Sequence, residues 1–444
     1  MGVIAILKKL NDSLPDPVKM AFAPIIRKQL ICNKTFLEQY AELEEFDIMT
    51  EAERTVYCFD KLKKMLIFAY EHTAFYKNQF DQCEFDPYTM ESEADMRIIP
   101  SITKEDIQEH FDEMQASCIA DYYTVTTGGS TGKPLHIQLD KASIYREKAF
   151  IYHYWSKAGY DYKASRIATF RGIEFGNKFV KLNPLYNEIF LNPFLLNEGN
   201  VARYVASIDK FGASFLHGYP SAIAHFCKLV KRKGLGLKPS IKAVFFISEN
   251  VLQEHFDIVK EVLHCTSYPF YGHSERSVFA EYSVEEKVYY ANECYCHFEV
   301  DNTDKQIICT GLVNQRMPLI RYKTDDVALK KENDGYTVEG HHCKNVLYGK
   351  NNEVMSMAAI NFHSHEFDKV DAYQFEQWEQ GKALLRLAAE GKLSQEDIGK
   401  IQDVLKIKMK NAIEMDIQIV QTIPLTSRGK HNSIIQHIDE TNSF

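Results

Sequence analysis

The chain has 444 residues with 52 Lys+Arg against 61 Asp+Glu, a formal charge of -9, and 45% hydrophobic and 25% charged residues. This is a globular composition long enough for more than one core, about three domains by length, and its acidic balance argues against a surface built to grip nucleic acid. Ten cysteines, at 32, 58, 83, 118, 227, 265, 294, 296, 309 and 343, have no framework spacing, which excludes a disulfide scaffold and leads us to expect reduced thiols and a cytoplasmic location.

In chain order, the segment up to Lys9 reads as a docked helix, with a weakly amphipathic surface helix as the alternative. Its lysines follow the apolar residues, the reverse of a secretory leader, and no apolar run approaches the roughly 18 residues of a membrane span, so no transmembrane segment is expected. Residues 1–120 read as a mostly helical lead-in. Within it Thr103-Lys104-Glu105-Asp106 has capping-box spacing at the head of a helix running toward Met114. Tyr122–Val125, and then Leu135, Ile137 and Leu139 alternating with His136 and Gln138, predict two strands around a Gly-rich turn.

Ala213–His217 reads as a buried strand, followed by a helix from Ser221 to Lys233 that stops at Gly234. Ala243–Ile247 is a further apolar run, and Val251–Leu263 has helical spacing before a strand that ends at Phe270. Alternating strands and helices of this kind define an α/β domain with a largely parallel sheet, whose sites gather at the carboxyl ends of the strands. The last hundred residues read as a small α+β unit. Ser394–Asp397 starts a helix with Ile398, Ile401 and Leu405 on one face, and Met415, Ile417 and Ile419 alternate as a strand. The boundary is placed at Glu339-Gly340, giving a large N-terminal domain over 1–339 and a small one over 340–444.

Thr126-Thr127-Gly128-Gly129-Ser130-Thr131-Gly132-Lys133-Pro134 is the most informative stretch. Three glycines allow close backbone approach, hydroxyls and N–H groups donate to phosphate oxygens, and Lys133 adds a cation, a composition suited to a polyphosphate. It is not a Walker loop. Three residues, not four, separate Gly128 from Gly132, and Pro134 follows the lysine where Ser or Thr would hold magnesium. The plainer alternative is a long hairpin loop rich in turn-forming residues.

This loop resembles the phosphate loop of the adenylate-forming superfamily of acyl-coenzyme A synthetases and related ligases, and three more motifs occur in that family's order. Tyr271-Gly272-His273-Ser274-Glu275 resembles Tyr-Gly-x-Thr/Ser-Glu. The resemblance implies that Tyr271 stacks on adenine, Ser274 reaches the α-phosphate or substrate carboxylate, and Glu275 holds Mg²⁺ against the phosphates. Arg321-Tyr322-Lys323-Thr324-Asp325-Asp326 resembles Arg-Tyr-x-Thr-Gly-Asp, which implies that Asp326 holds the ribose hydroxyls; Asp325 stands where the family has glycine. Pro424-Leu425-Thr426-Ser427-Arg428-Gly429-Lys430 resembles the C-terminal Pro-x-Thr-x-x-Gly-Lys motif, implying that Lys430 neutralises charge as a carboxylate attacks an anionic phosphate. At the junction, His341 replaces the arginine that touches the ribose in relatives, and Lys344 takes the hinge position. Pro100–Lys104, His217–Ser221 and Met317–Tyr322 look most like the phenylacetate-coenzyme A ligase branch, and more narrowly its capsular-polysaccharide relatives.

The resemblance implies an α/β adenylating domain of layered sheets with a mobile C-terminal cap. It also implies that ATP with Mg²⁺ activates a small-molecule carboxylate, with coenzyme A or another thiol as acceptor. An amide ligase acting on an amine, and a nucleotide-binding protein without turnover, are the alternatives. Acid-pocket residues are expected near Arg171–Phe175, Tyr219 and Phe246–Glu249. Cys294-x-Cys296-His297 lacks the two-residue gap of zinc sites and reads as thiols. His363-x-His365 followed by Glu366 lacks zincin spacing, and Lys228-Lys231-Arg232-Lys233 reads as a basic cap on a helix dipole.

Overall fold

The computed structural model describes residues 23, 27, 32–127, 135–171, 177–238, 240–339, 346–351, 353–356, 369–389, 393–409, 411–426 and 430–438. The chain divides into two compact units, one of Met1–Ala164, Leu182–Asn187 and Phe270–Val338, the other of Ser165–Lys181, Glu188–Pro269 and Glu339–Phe444.

The first unit opens with helices α1 (Lys34–Ile48), α2 (Glu51–His72), α3 (Ala74–Gln82) and α4 (Lys104–Glu109). Each starts where a side-chain oxygen takes up an otherwise orphaned N–H: Asn33, Thr50, Thr73 and Thr103 all do so. The expected helix from Thr103 to Met114 is shorter than its pattern, ending at Glu109. Beyond it the chain turns so that Met114 and Ala116 are buried and the Ala116 N–H reaches the Arg316 carbonyl at 2.8 Å, a tertiary contact that overrides local periodicity. Strands β1 (Tyr122–Thr127) and β2 (Leu135–Asp140) pair antiparallel on either side of the Gly-rich segment, with Thr127 opposite Leu135. Helix α5 (Lys141–Ser156) follows directly, capped by Asp140.

The second unit then begins, with Leu182–Asn187 returning briefly to the first. Strand β3 (Ile167–Phe170) is followed by β4 (Val180–Asn183), β5 (Glu188–Leu191), helix α6 (Val201–Phe211), β6 (Phe215–Gly218), helix α7 (Pro220–Arg232), β7 (Ala243–Phe246), helix α8 (Gln253–Leu263) and β8 (Thr266–Gly272). β5, β3, β6, β7 and β8 pair in parallel in that order. Every residue of β3, β6 and β7 is buried, because a parallel sheet carries helices on its faces and so reads as continuous apolar runs.

The second half of β8 returns the chain to the first unit, where it pairs antiparallel with β9 (Phe279–Ser283). Strands β10 (Val288–Ala291), β11 (Cys296–Val300), β12 (Gln306–Gly311), β13 (Tyr322–Lys330) and β14 (Tyr336–Glu339) complete this sheet in the order β11-β12-β13-β14-β10-β9-β8. The β12–β13 register slips between the pairs Gln306↔Val327 and Ile308↔Lys323, so Thr324, Asp325 and Asp326 bulge from the ladder. A bulge of this kind re-aims side chains away from strict alternation.

The remainder belongs to the second unit. After the hairpin of β15 (Val346–Tyr348) and β16 (Val354–Ser356), β17 (Ala372–Glu379), β18 (Lys382–Ala388), helix α9 (Gln395–Lys408), β19 (Glu414–Val420) and β20 (Ile434–Gln436) form a sheet of order β19-β18-β17-β20. Phe375, Leu385 and Leu387 pack with Ile401 and Leu405 of α9 in its core. Among the described residues no helix is long and apolar enough to cross a membrane.

Candidate active site

In the first unit, Tyr271 and Gly272 end β8, and His273 follows as the chain leaves the strand. Residues two apart on extended backbone point to one side, so Tyr271 and His273 both face Asp326. The Tyr271 hydroxyl donates to Asp326 Oδ2 at 2.7 Å, while His273 Nε2 lies 3.0 Å from the same oxygen and 2.5 Å from the phenol oxygen. Behind the ring, His273 Nδ1 lies 3.4 Å from Oγ of the fully buried Ser277. The turn is closed by the Arg276 N–H on the His273 carbonyl at 3.1 Å, with Arg276 at φ 56°. Arg276 is in turn held by Ser143 Oγ at 2.6 Å and Glu147 Oε2 at 3.1 Å. Ser274 is exposed in this turn and Glu275 half-buried.

Burial, then the Asp326 charge, pushes the Tyr271 phenol well above its ordinary value, so it remains a donor. Burial depresses His273, yet its hydrogen bond to Asp326 and the charges of Asp326 and Glu275 outweigh that, against Lys104, and hold it above the ordinary imidazole value.

Asp326 is set by the bulge in β13, its N–H donating to Thr324 Oγ1 at 3.2 Å. Asp325, the departure from glycine, keeps a negative φ and ion-pairs with Lys104 at the head of α4. The added charge is therefore met by a cation from another element, and the bulge does not require glycine there. Arg321 anchors the start of β13, its Nε and Nη2 reaching the two oxygens of Glu299 at 3.1 and 3.2 Å. Thr126 Oγ1 lies 3.1 Å from His136 Nδ1 across the β1–β2 pair, and Thr127 closes β1. Gly128, Gly129, Ser130, Thr131, Gly132, Lys133 and His341 lie outside the described residues, as do Gly172–Gly176, Lys344, His363, His365, Glu366 and the segment to Lys9.

The second unit holds a separate cluster at the carboxyl ends of β6 and β7, where open parallel sheets place their sites. Glu249, just after β7, accepts the Ser221 N–H from the first turn of α7 at 3.1 Å and the His431 N–H at 2.9 Å. Burial raises its pKa despite these bonds. Lys430 donates Nζ to the Ser248 carbonyl at 2.9 Å and lies 5.9 Å from the Tyr219 ring centre. Tyr219 and the Ser248–Glu249 pair, expected to line the acid pocket, thus lie beside the motif lysine.

The basic end of α7 is more than a dipole cap. Lys228 donates to the Val370 carbonyl at 3.1 Å, Arg232 pairs with the buried Asp371 at 2.6 Å, and Lys231 and Lys233 pair with Glu261 and Glu198. These four cations fasten neighbouring elements, including the segment that leads into β17.

Three histidines lie in the same region. Burial, then the charges of Lys228 and His431, pushes His255 down to about 3. Burial first, with Lys228 and His225 adding to it, pushes His431 down to about 4, and His225 is lowered by burial as well. Folded, they are neutral; unfolded, they take up a proton near pH 6.5. The stability they carry is whole above that pH and is lost as pH falls toward 4 and 3. Glu249 and, in the first unit, His273 are raised and act in the opposite sense, two groups against three lowered imidazoles. The urea midpoint should therefore drop between pH 7 and 5, with a shallower drop in His431→Gln; a flat or rising midpoint contradicts this account.

Cys294 and Cys296 are buried protonated thiols. Hydrogen bonding to Cys58 and then burial raise Cys294, and burial pushes Cys296 up to about 12. His297 lies 3.5 Å from Glu93 instead. Among the described residues no three His, Cys, Asp or Glu side chains group as a metal cage.

Sequence reasoning passed over His273, because it occupies the variable position of its motif; its i, i+2 relation to Tyr271 is the signal that finds it. Lys104 has no partner legible in the sequence, because its pairing with Asp325 spans more than two hundred residues.

These elements make up a mixed α/β fold shared with solved acyl-CoA ligases. The chain is similar to 2-hydroxyisobutyryl-CoA ligase in the postadenylation state in complex with 2-HIB-AMP, at 15% identity over 88% of this chain and 91% of that one, with a TM-score of 0.65. It is also similar to an open conformation of that ligase in complex with 2-HIB-AMP and CoA, at 15% identity over 87% and 92% of the two chains, with a TM-score of 0.51. In sequence it is similar to Protein CapK of Staphylococcus aureus, 22% identical over 369 residues, covering 78% of this chain and 81% of the relative. No family model matches the chain.

Proposed function

We propose that the protein uses ATP to convert a small carboxylate into an acyl-adenylate with release of pyrophosphate, and then passes the acyl group to coenzyme A or another thiol. The observation that carries this reading is the convergence of Tyr271 and His273 on Asp326 at the motif positions of an adenylate-forming fold. A carboxylate held by two donors presents a fixed acceptor to a ribose diol, and the adjoining phenol ring offers a face to adenine.

The donor set suits ATP with Mg²⁺. Mg²⁺ keeps several waters and takes one or two carboxylates beside phosphate oxygens, and the half-buried Glu275 in the turn after β8 supplies one. Bound there, the ion would offset phosphate charge. The Thr126–Lys133 segment would cradle the phosphates with N–H and hydroxyl donors, Ser274 would meet the α-phosphate or the carboxylate, and Lys430 would stabilise the charge that builds as the two anions meet. No protein nucleophile is required; positioning and charge neutralisation supply the rate.

Exchange of labelled pyrophosphate into ATP that depends on an added carboxylate tests the first half-reaction. Absence of exchange across a broad panel of acids, with ATP bound normally, would overturn it. Product mass spectrometry with coenzyme A and with amines then assigns the acceptor.

A further inference from the structure

We infer that His273 is a positioning residue for the nucleotide, holding Asp326 in the orientation that receives the ribose hydroxyls. This rests on the assignment of Asp326 to the ribose made above.

Asp326 stands on a bulge, where the ladder no longer dictates side-chain direction. Its local backbone tie is the Thr324 hydroxyl at 3.2 Å, which fixes the main chain and leaves the carboxylate to be oriented from elsewhere. That orientation comes from the end of β8. Tyr271 and His273 meet on one oxygen, Oδ2, at 2.7 and 3.0 Å, and touch each other at 2.5 Å, forming a closed triangle. A single donor permits the carboxylate to pivot about one bond, whereas two donors fixed to one strand end define its plane.

The phenol has one proton to give, and Asp326 takes it. The His273 N–H therefore bridges both acceptors, the phenol oxygen and the carboxylate. His273 is itself fixed on its far side by Ser277 at 3.4 Å and through its carbonyl by Arg276 at 3.1 Å. It acts on the nucleotide through Asp326 and Tyr271.

The test is calorimetric titration of the full chain with ATP and with 2′,3′-dideoxy-ATP, for the wild type, His273→Ala and His273→Gln, with thermal melting of each to establish folding. The wild type should prefer ATP to the dideoxy analogue. His273→Ala should lose roughly tenfold for ATP, the size of one charge-assisted hydrogen bond, and almost nothing for the analogue. His273→Gln places an amide N–H near the same point and should recover ATP affinity to within about threefold of the wild type.

Equal weakening of both ligands in His273→Ala would mark a general structural role and overturn the inference. It would also fall if His273→Ala bound ATP as the wild type does while the wild type still discriminated against the analogue; the ribose assignment of Asp326 would then survive. A wild type that binds ATP and the analogue alike would remove the ribose assignment itself, and the inference with it.

Discussion

Replacing Lys430 by alanine should reduce carboxylate-dependent pyrophosphate exchange by about 10²- to 10³-fold, the usual cost of deleting one preorganised charge-stabilising group. The dissociation constant for ATP should change little, because the proposed adenine and ribose contacts come from Tyr271 and Asp326, which the substitution leaves in place. A carboxylate attacking a phosphate joins two anions, and the attack slows unless a cation lies where their charges converge. Lys430 rests on the Ser248 carbonyl and near the Tyr219 ring, at the carboxyl ends of two parallel strands. Exchange assays at saturating ATP, paired with calorimetric ATP binding, separate a chemical defect from a binding one. Undiminished exchange in the alanine variant would remove Lys430 from the mechanism.

The largest effect on stability should come from Gly218→Ala. Gly218 ends β6 at φ 147°, and a Cβ there would lie 2.1 Å from the Phe170 carbonyl oxygen and 2.8 Å from its carbon. Both are backbone atoms of the paired strand β3, and that oxygen also accepts the Tyr219 N–H at 3.2 Å. The methyl group can be accommodated only by parting two central strands. A loss of more than about 3 kcal/mol is expected, from strain and lost packing together. Gly234→Ala is the matched comparison: it too has a positive φ, 60°, but nothing lies within 4 Å of the added carbon, so a cost of roughly 1 kcal/mol should suffice. Denaturant midpoints of the two variants check the contrast, and equal shifts would show that the contact with Phe170 is relieved without parting the sheet.

Much of the parallel sheet was legible in the sequence. Phe215–Gly218 and Ala243–Phe246 are buried on both faces, so they read as short, largely apolar runs, and the helices that follow them stop near Gly234 and at Leu263. The capping boxes at Thr103 and Ser394 marked true helix starts. Where α4 ends was not legible, because the turn toward Met114 answers to Arg316, two hundred residues away. For the candidate site, motif residues were found by type and order, but their mutual support was not. The bulge that aims Asp326 depends on an inter-strand register no local pattern encodes, and Lys104 meets Asp325 only once the chain has folded. The role of Lys228 and Arg232 was hidden for the same reason, since their partners at 370 and 371 lie well over a hundred positions downstream.

Those two attachments bear on how loss-of-function data should be interpreted. A chain cut at residue 338 would lack Lys430, but it would also strip Arg232 and Lys228 of Asp371 and the Val370 carbonyl. Deletion and point substitution therefore ask different questions of this protein. An inactive truncate reports on the integrity of the parallel-sheet unit as much as on chemistry, and only the single-residue variant isolates the lysine.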